Sequence, residues 1–346
     1  MSRTKRRFKT SRLKKTAIFR YFVMPLATVW FIGFSFVMKR LPPRCIYWSG
    51  RFFGLIVWMS SAKRRNIALR NLEIAFGNGY TVKERRRIAR RSVQHFCITA
   101  LEVFLLPRYV GDAWMKRVNL TDEQREKFNI MAAHKGPVAL HTGHMGSWEF
   151  STGIINYTRR PLAAVYRPLE LPAADREIRC LRMSQGIKVY AKKGALRGYV
   201  KTLKNNEWLG VIADQNAGSD AEFVNFFGVP AATEAGYFTL YSRFDTLICS
   251  FFMIRDGFRF KYSLEGLCLT KIEREADPAA EKMRLAQWYM NCLEKVVRAH
   301  PEQYNWLHRR WRSRPAGVPS LYKNLGQPLD PKVLKSQPPA PLPRSS

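Results

Sequence analysis

The residues best suited to chemistry lie together in one segment, HTGHMGSWEF, running from His141 to Phe150. An imidazole with a carboxylate held against one ring nitrogen is a general base near neutral pH. The carboxylate fixes the tautomer and raises the basicity of the other nitrogen. Such a pair can activate a hydroxyl brought by a substrate, so it needs no serine or cysteine nucleophile. His144 and Glu149 are five residues apart, a spacing that does not share a helix face. The reading therefore places His144 in a loop and Glu149 in the first turn of the following helix, its carboxylate turned back toward the ring. A plainer reading is an ordinary loop histidine followed by an acid favoured by the helix dipole. A metal site built from His141, His144 and Glu149 is the weakest of the three, because two histidines leaving a strand do not readily aim both rings at one ion. No metal and no organic cofactor is expected.

The flanking sequence says what must position these residues. GPVALHT, just upstream, is a short apolar run bounded by glycine and polar residues, which predicts a buried strand. WEFSTGIINY predicts a helix, PLAAVYRP a strand, ADREIRCLRMSQG a helix ending at Gly186, GALRGYVKTLKNN a helix and WLGVIADQ a third buried strand. Two more strands follow EAGYFTLYSRF, and then a helix over about 279–300. This alternation predicts an α/β fold with a mostly parallel central sheet flanked by helices. Ligands of such sheets bind in the loops at the carboxyl ends of the strands, where His144 falls. Upstream, 63–106 reads as helical with a break at Gly77–Gly79, and Thr81 with Glu84 forms a capping-box pattern. The arginines at 85–87, 90 and 91 suit a solvated helix face or anionic head groups.

The chain has 346 residues, with 59 Lys and Arg against 26 Asp and Glu, a net charge of +33. With 46% hydrophobic and 13% aromatic residues it is not a disordered chain. The charge excess implies an anionic partner. The six cysteines are scattered without a CxxC pair, which argues against a disulfide scaffold or zinc ribbon. Walker A, GxGxxG and GxSxG patterns are absent from the sequence.

Residues 1–20 form a basic segment with nine Lys or Arg and no acid, and Tyr21–Met38 is an uncharged apolar stretch of eighteen residues. We read 21–38 as a retained membrane anchor helix near the lower limit for a span, 45–312 as the catalytic domain, and the proline-rich 313–346 as a loose tail. Basic residues flank both ends of the anchor, so the positive-inside rule gives no orientation. Phe52–Ala62 is too short to span and suits the membrane interface, together with Tyr47, Trp48 and Trp58.

HMGSWE resembles the His-x4-Asp/Glu motif of glycerolipid-type acyltransferases, and more closely that of the bacterial lipid A biosynthesis acyltransferases, the late lauroyl and myristoyl transferases. Further stretches agree in order: RRNIALRNLEIAF with KERRRIARRSVQHF, VYRP at 165–168, KGALRG at 193–198, GVIADQ at 210–215, FFGVPAAT at 226–233 and PEQYNWLHRRWRSRP at 301–315. The resemblance spans about 65–315. Ser147 stands where asparagine is usual, and the strongly basic amino terminus is a second departure.

The resemblance implies a glycerolipid acyltransferase-like fold and a membrane-anchored O-acyltransferase at the cytosolic face of a bacterial inner membrane. His144 would take the proton of an acceptor hydroxyl, which then attacks an acyl thioester, and Glu149 would orient His144. Arg167 would stabilise the oxyanion or hold a substrate phosphate. Asp214 would support the site by holding Arg167, with Gln215 beside it. Lys193 and Arg197, one turn apart, suit phosphate or a solvated basic face. Phe223, Phe226 and Phe227 would line an acyl channel or serve as core aromatics. The acceptor would be an anionic lipid A precursor and the donor an acidic acyl carrier protein, both attracted by the positive charge. Another lysolipid, ornithine lipid or glycolipid acceptor, with acyl-CoA or acyl carrier protein, is the alternative. A basic membrane-tethered binding protein is a third reading. Nucleic acid is not an expected partner, because no helix-turn-helix, RNP or zinc-finger pattern accompanies the charge.

Overall fold

The computed structural model of the chain describes residues 19–192, 194–273, 277–330 and 333. Four helices open it: α1 (Met24–Met38), α2 (Pro43–Ser60), α3 (Ala62–Phe76) and α4 (Val82–Glu102). Thr81 caps α4 in a full capping box, its hydroxyl accepting from the Glu84 amide while Glu84 accepts from the Thr81 amide. The α/β part follows as β1 (Val118–Asn119), α5 (Asp122–Ala133), β2 (Val138–Thr142), β3 (Leu162–Tyr166), α6 (Pro172–Met183), β4 (Lys188–Ala191), α7 (Ala195–Lys204), β5 (Trp208–Ile212), β6 (Glu222–Phe226), β7 (Val229–Thr233), α8 (Gly236–Tyr241), β8 (Leu247–Asp256), β9 (Lys261–Thr270) and α9 (Pro278–Ala299).

Seven strands form one sheet in the order β1-β9-β8-β2-β5-β3-β4. The run β8-β2-β5-β3-β4 is parallel throughout, while β9 is antiparallel to β8. The mostly parallel α/β sheet expected from the sequence is therefore present, with a separate antiparallel hairpin, β6-β7, appended to it.

Parallel strands in such sheets are covered on both faces, and their side chains alternate between two cores. On β2, Val138 and Leu140 enter one core and Ala139 the other. On β8, Leu247, Cys249, Phe251 and Met253 share the first core with Val138, while Ile248, Phe252 and Ile254 join the second. All five residues of β2 are buried. This is why a strand with no polar alternation is readable as VALHT and lies at the centre of the sheet.

The loose tail expected over 313–346 is corrected for its first part. Leu321 is fully buried in the core shared by α3 and α9. The Arg70 guanidinium of α3 donates to the carbonyls of Leu321 and Gln327 at 2.6 and 2.7 Å, and the Tyr322 hydroxyl donates to Asn71 Oδ1 at 2.5 Å. The Leu329 amide donates to Glu73. Prolines keep this stretch irregular, and α3 supplies the hydrogen-bond partners a helix or strand would otherwise give. The rest of the tail (331, 332 and 334–346) and the basic residues 1–18 lie outside the described residues.

Leu321→Ala should lower stability by about 2–5 kcal/mol, the usual cost of truncating a buried leucine. Urea unfolding of the purified protein checks this; a loose tail would show no change in midpoint.

Candidate active site

β2 and β5 are hydrogen-bonded neighbours, paired so that Val138 faces Trp208 and Thr142 faces Ile212. The offset of 70 residues continues beyond both strand ends, so His144 meets Asp214. Asp214 Oδ1 lies 2.7 Å from His144 Nδ1, and Asp214 Oδ2 accepts the His144 amide at 2.8 Å. One carboxylate thus fixes both the ring and the backbone of the histidine. Asp214 is buried, while His144 keeps about a quarter of its side chain exposed. With Nδ1–H donated to Asp214, the other ring nitrogen, Nε2, is the basic one. Gln215 Nε2 lies 3.3 Å from it.

Burial alone would push the His144 pKa down. The Asp214 charge and hydrogen bond, with Glu149 adding its field, outweigh that and hold the pKa above the ordinary imidazole value. Burial likewise raises the Asp214 carboxyl, but the His144 ring and amide and the nearby Arg310 guanidinium bring it below its usual range.

Glu149, expected to turn its carboxylate to the His144 ring and orient it, is engaged elsewhere. Both Glu149 oxygens are taken by Arg182 at the end of α6, Nη2 to Oε1 at 2.6 Å and Nε to Oε2 at 2.9 Å. Glu149 is buried and acts on the ring through its charge. Asp214, expected to hold Arg167, holds His144 instead. The physical reason is the register: β5 delivers a carboxylate to the level of His144, whereas Glu149 sits a turn further on, facing α6.

The other expected residues fall as follows. Arg167 stands exposed just past the end of β3, and Arg197 is exposed on α7. Lys193 lies outside the described residues. Phe223 is half-buried on β6. Phe226 and Phe227 are buried core aromatics: Phe226 stacks on Trp311 with centroids 5.6 Å apart, and Phe227 packs edge-on against Phe76 at 5.0 Å. His141 is buried among Phe238, Tyr241 and Tyr289, with burial holding its pKa near 3, so its ring is neutral.

The loop 144–147 is clamped from three sides. The Gly146 amide donates to the Gln303 carbonyl and the Ser147 amide to the Met253 carbonyl, at 3.0 and 2.8 Å. Gly146 has φ +55°, and a Cβ there would lie 2.0 Å from the Met253 oxygen, so only glycine fits. Below the loop lies a buried charge network. Glu102 of α4 accepts from Arg255 Nε at 2.7 Å, Tyr262 OH at 2.8 Å and Ser147 Oγ at 2.6 Å. Arg255 also donates to Thr99 Oγ1, which in turn donates to the Gly146 carbonyl at 2.7 Å, and to His95 Nδ1 at 2.9 Å. His95 must be neutral to accept that bond. Burial first, and then Arg255, hold its pKa well below the usual value. Gln303 completes the clamp by bonding both the amide and the carbonyl of Arg255.

Asp214's neighbour Asn216 donates its amide to His308 Nε2 at 3.0 Å, and burial keeps His308 neutral with a pKa near 4. Arg310 is buried and donates to the Ala232 carbonyl and Thr233. Sequence reasoning missed Arg182, Glu102 and Arg255. Each is 33 or more positions from the residue it serves, and each looks like an ordinary helix or strand charge.

Two predictions follow from this geometry. Following the His144 ring by NMR should give a pKa above the usual histidine value, falling in Asp214→Asn, whose amide removes the charge that raises it. Glu102→Gln should cost about 3–5 kcal/mol, since it leaves the Arg255 guanidinium buried without its counter-charge; denaturant unfolding reads it out.

The family described as bacterial lipid A biosynthesis acyltransferase matches residues 12–313. The chain is 28% identical over 305 residues to the lipid A biosynthesis lauroyltransferase of Escherichia coli (strain K12), covering 84% of this chain and 93% of that protein. It is 28% identical over 303 residues to the lipid A biosynthesis palmitoleoyltransferase of the same strain, covering 85% and 94%. It is 27% identical over 270 residues to a lipid A biosynthesis acyltransferase of Haemophilus influenzae, covering 75% and 81%.

Proposed function

Since the chain belongs to the bacterial lipid A biosynthesis acyltransferase family and is an acyltransferase, we propose that it transfers a fatty acyl chain from an acyl thioester, carried on acyl carrier protein, to a hydroxyl of a lipid A precursor, with His144 as the base. The observation that carries this reading is the 2.7 Å contact between His144 Nδ1 and Asp214. It leaves Nε2 basic, on a ring that is about a quarter exposed and at the carboxyl edge of the sheet.

In the proposed reaction the acceptor hydroxyl gives its proton to His144 Nε2 as its oxygen bonds to the thioester carbonyl carbon. The tetrahedral intermediate then collapses, the carbon–sulfur bond breaks, and the leaving thiolate takes the proton back from the imidazolium. Asp214 holds the tautomer and stabilises the imidazolium. Glu149, locked by Arg182, adds a second negative charge near the ring without competing for Nδ1. Arg167, exposed at the end of β3 beside β5, would meet a phosphate of the acceptor or the developing oxyanion. Gln215 stands where the acceptor hydroxyl must arrive and would donate to it or give way to it. The protein works from the cytosolic face of the inner membrane, held there through Tyr21–Met38, the one helix among the described residues long and apolar enough to cross a bilayer. The +33 charge favours encounter with both an anionic glycolipid and an acidic carrier.

The test is a transfer assay on the full chain in detergent, with acyl-carrier-protein thioesters and an underacylated lipid A precursor. His144→Ala should lose about 10²- to 10⁴-fold in kcat while folding normally. A folded His144→Ala protein with wild-type turnover would overturn the mechanism. Because the base must be neutral, kcat/KM should rise with pH through a pKa above the usual histidine value. Asp214→Asn should shift that limb to lower pH and lower kcat; Glu149→Gln should shift it less, as Glu149 acts at a distance.

A further inference from the structure

The sequence of α7, ALRGYVKTLK, holds three basic residues and no acid. Ala195, Tyr199 and Leu203 turn into the core, as an amphipathic surface helix requires. The outer side carries two adjoining stripes. Arg197, Lys201 and Lys204 recur at helical spacing and are all exposed. Leu196, 64% exposed, and half-buried Val200 run beside them. Together with Asn205 these five side chains line an open hollow of about 460 Å³. Elsewhere surface cations are matched: Lys188 holds Glu207 and Arg298 holds Glu294. Arg197, Lys201 and Lys204 have no carboxylate partner among the described residues. A basic stripe left unmatched beside an apolar one suits an acidic protein surface.

Position says which acidic surface. α7 follows β4, whose last residue, Ala191, pairs with Tyr166 of β3, and it packs back over β3 and β5. Its first turn, with Arg197 and the exposed Lys192 just before it, therefore stands at the carboxyl edge of the sheet, the edge that holds His144. Three strand spacings, about 14 Å, separate the ends of β4 and β2. The anchor helix lies on the other face of the sheet. Phe34 of α1 meets Phe104 edge-on at 5.7 Å, Met38 shares the first core with Leu181 of α6, and Ser35 and Lys39 both bind Glu177 of α6. Ala195, Tyr199 and Leu203 of α7 belong instead to the second core, with Ala139 and Ile248. The basic stripe of α7 thus looks away from α1, which favours a soluble partner over lipid head groups.

We propose that this face of α7 is the docking surface for the acidic acyl carrier protein. Carboxylates of the carrier meet Arg197, Lys201 and Lys204, and Leu196 gives the apolar contact. The carrier holds its acyl chain on a flexible arm, and docking at α7 lets that arm run along the ends of β3 and β5 to bring the thioester to His144. The proposal rests on the donor proposed above. Complementary charge of this kind speeds encounter and fixes orientation, and salt screens it.

The test uses the full chain in detergent with an underacylated lipid A precursor and two donors, the same acyl group on acyl carrier protein and on pantetheine. Lys201→Glu/Lys204→Glu changes only exposed positions, and circular dichroism checks that it folds. At low salt its KM for the carrier thioester should rise about tenfold, while kcat/KM for the pantetheine thioester stays at the wild-type value. Added salt should raise the wild-type KM for the carrier and narrow the gap. Arg86→Glu/Arg87→Glu on α4 makes the same change in net charge and should leave the carrier KM near wild type. An unchanged carrier KM in the α7 variant, or an equal rise in the α4 variant, overturns the docking surface and leaves the transfer reaction standing. An equal loss with both donors means that α7 serves the fold or the site, and overturns it too. A wild type that uses the pantetheine thioester but not the carrier thioester overturns the donor reading itself.

Discussion

The site depends on one pairing, that of β2 with β5. Parallel strands fix their register over their whole length because a slip by one residue would turn every side chain to the wrong face. Here the slip would carry Val138 and Leu140 out of one core and Ala139 into it, while Trp208 and Leu209 did the same on β5. The apolar alternation of two buried strands thus determines, two residues beyond their ends, that an imidazole meets a carboxylate. The His144–Asp214 geometry inherits its precision from the packing of the strands behind it.

The loop that carries His144 needs its own restraints, since a strand end alone leaves it free. These come from backbone bonds to Met253 and Gln303 and from Glu102 and Arg255 beneath. A buried ion pair is seldom a net gain in stability against an apolar alternative. Its oxygens here are filled by Arg255, Tyr262 and Ser147, and what the arrangement provides is direction. Thr99 and Ser147 pass it to two consecutive residues of the loop. At Ser147 the chain departs from the asparagine usual in the family, and its hydroxyl is one of the donors that fill the Glu102 carboxylate.

Much of this was legible in the sequence. VALHT, LAAVY and WLGVI read as buried strands because each is a short apolar run between turn residues. Thr81 and Glu84 signalled a helix start, and the segment around His144 stood out by residue type. What was not legible is pairwise and distant. Five residues separate His144 from Glu149, which suggested a partnership; seventy separate it from Asp214, which concealed the one that the strands impose. Arg182 reads as a charge on an amphipathic helix until α6 is seen to end beside Glu149. The prolines after residue 312 suggested a loose tail, because composition does not show that the Arg70 guanidinium and Asn71 wait on α3 to receive that chain. Phe226 and Phe227 are aromatic enough for an acyl channel but are consumed by Trp311 and Phe76 in the core.

The long reach of these contacts also sets when the enzyme comes into being. During synthesis β2 emerges first, and its neighbour β5 is filled only after β3 and β4 have been made and set aside. The clamp on the histidine loop waits longer still, for Arg255 and then for Gln303 near the end of the catalytic part. A ribosome-bound chain that stops before residue 303 has the histidine, the carboxylate and most of the sheet, but lacks the Gln303 carbonyl that holds the Gly146 amide and the side chain that holds Arg255. Contacts so far apart in sequence form slowly, so the last restraint on the histidine loop is also among the last long-range contacts that the chain can close.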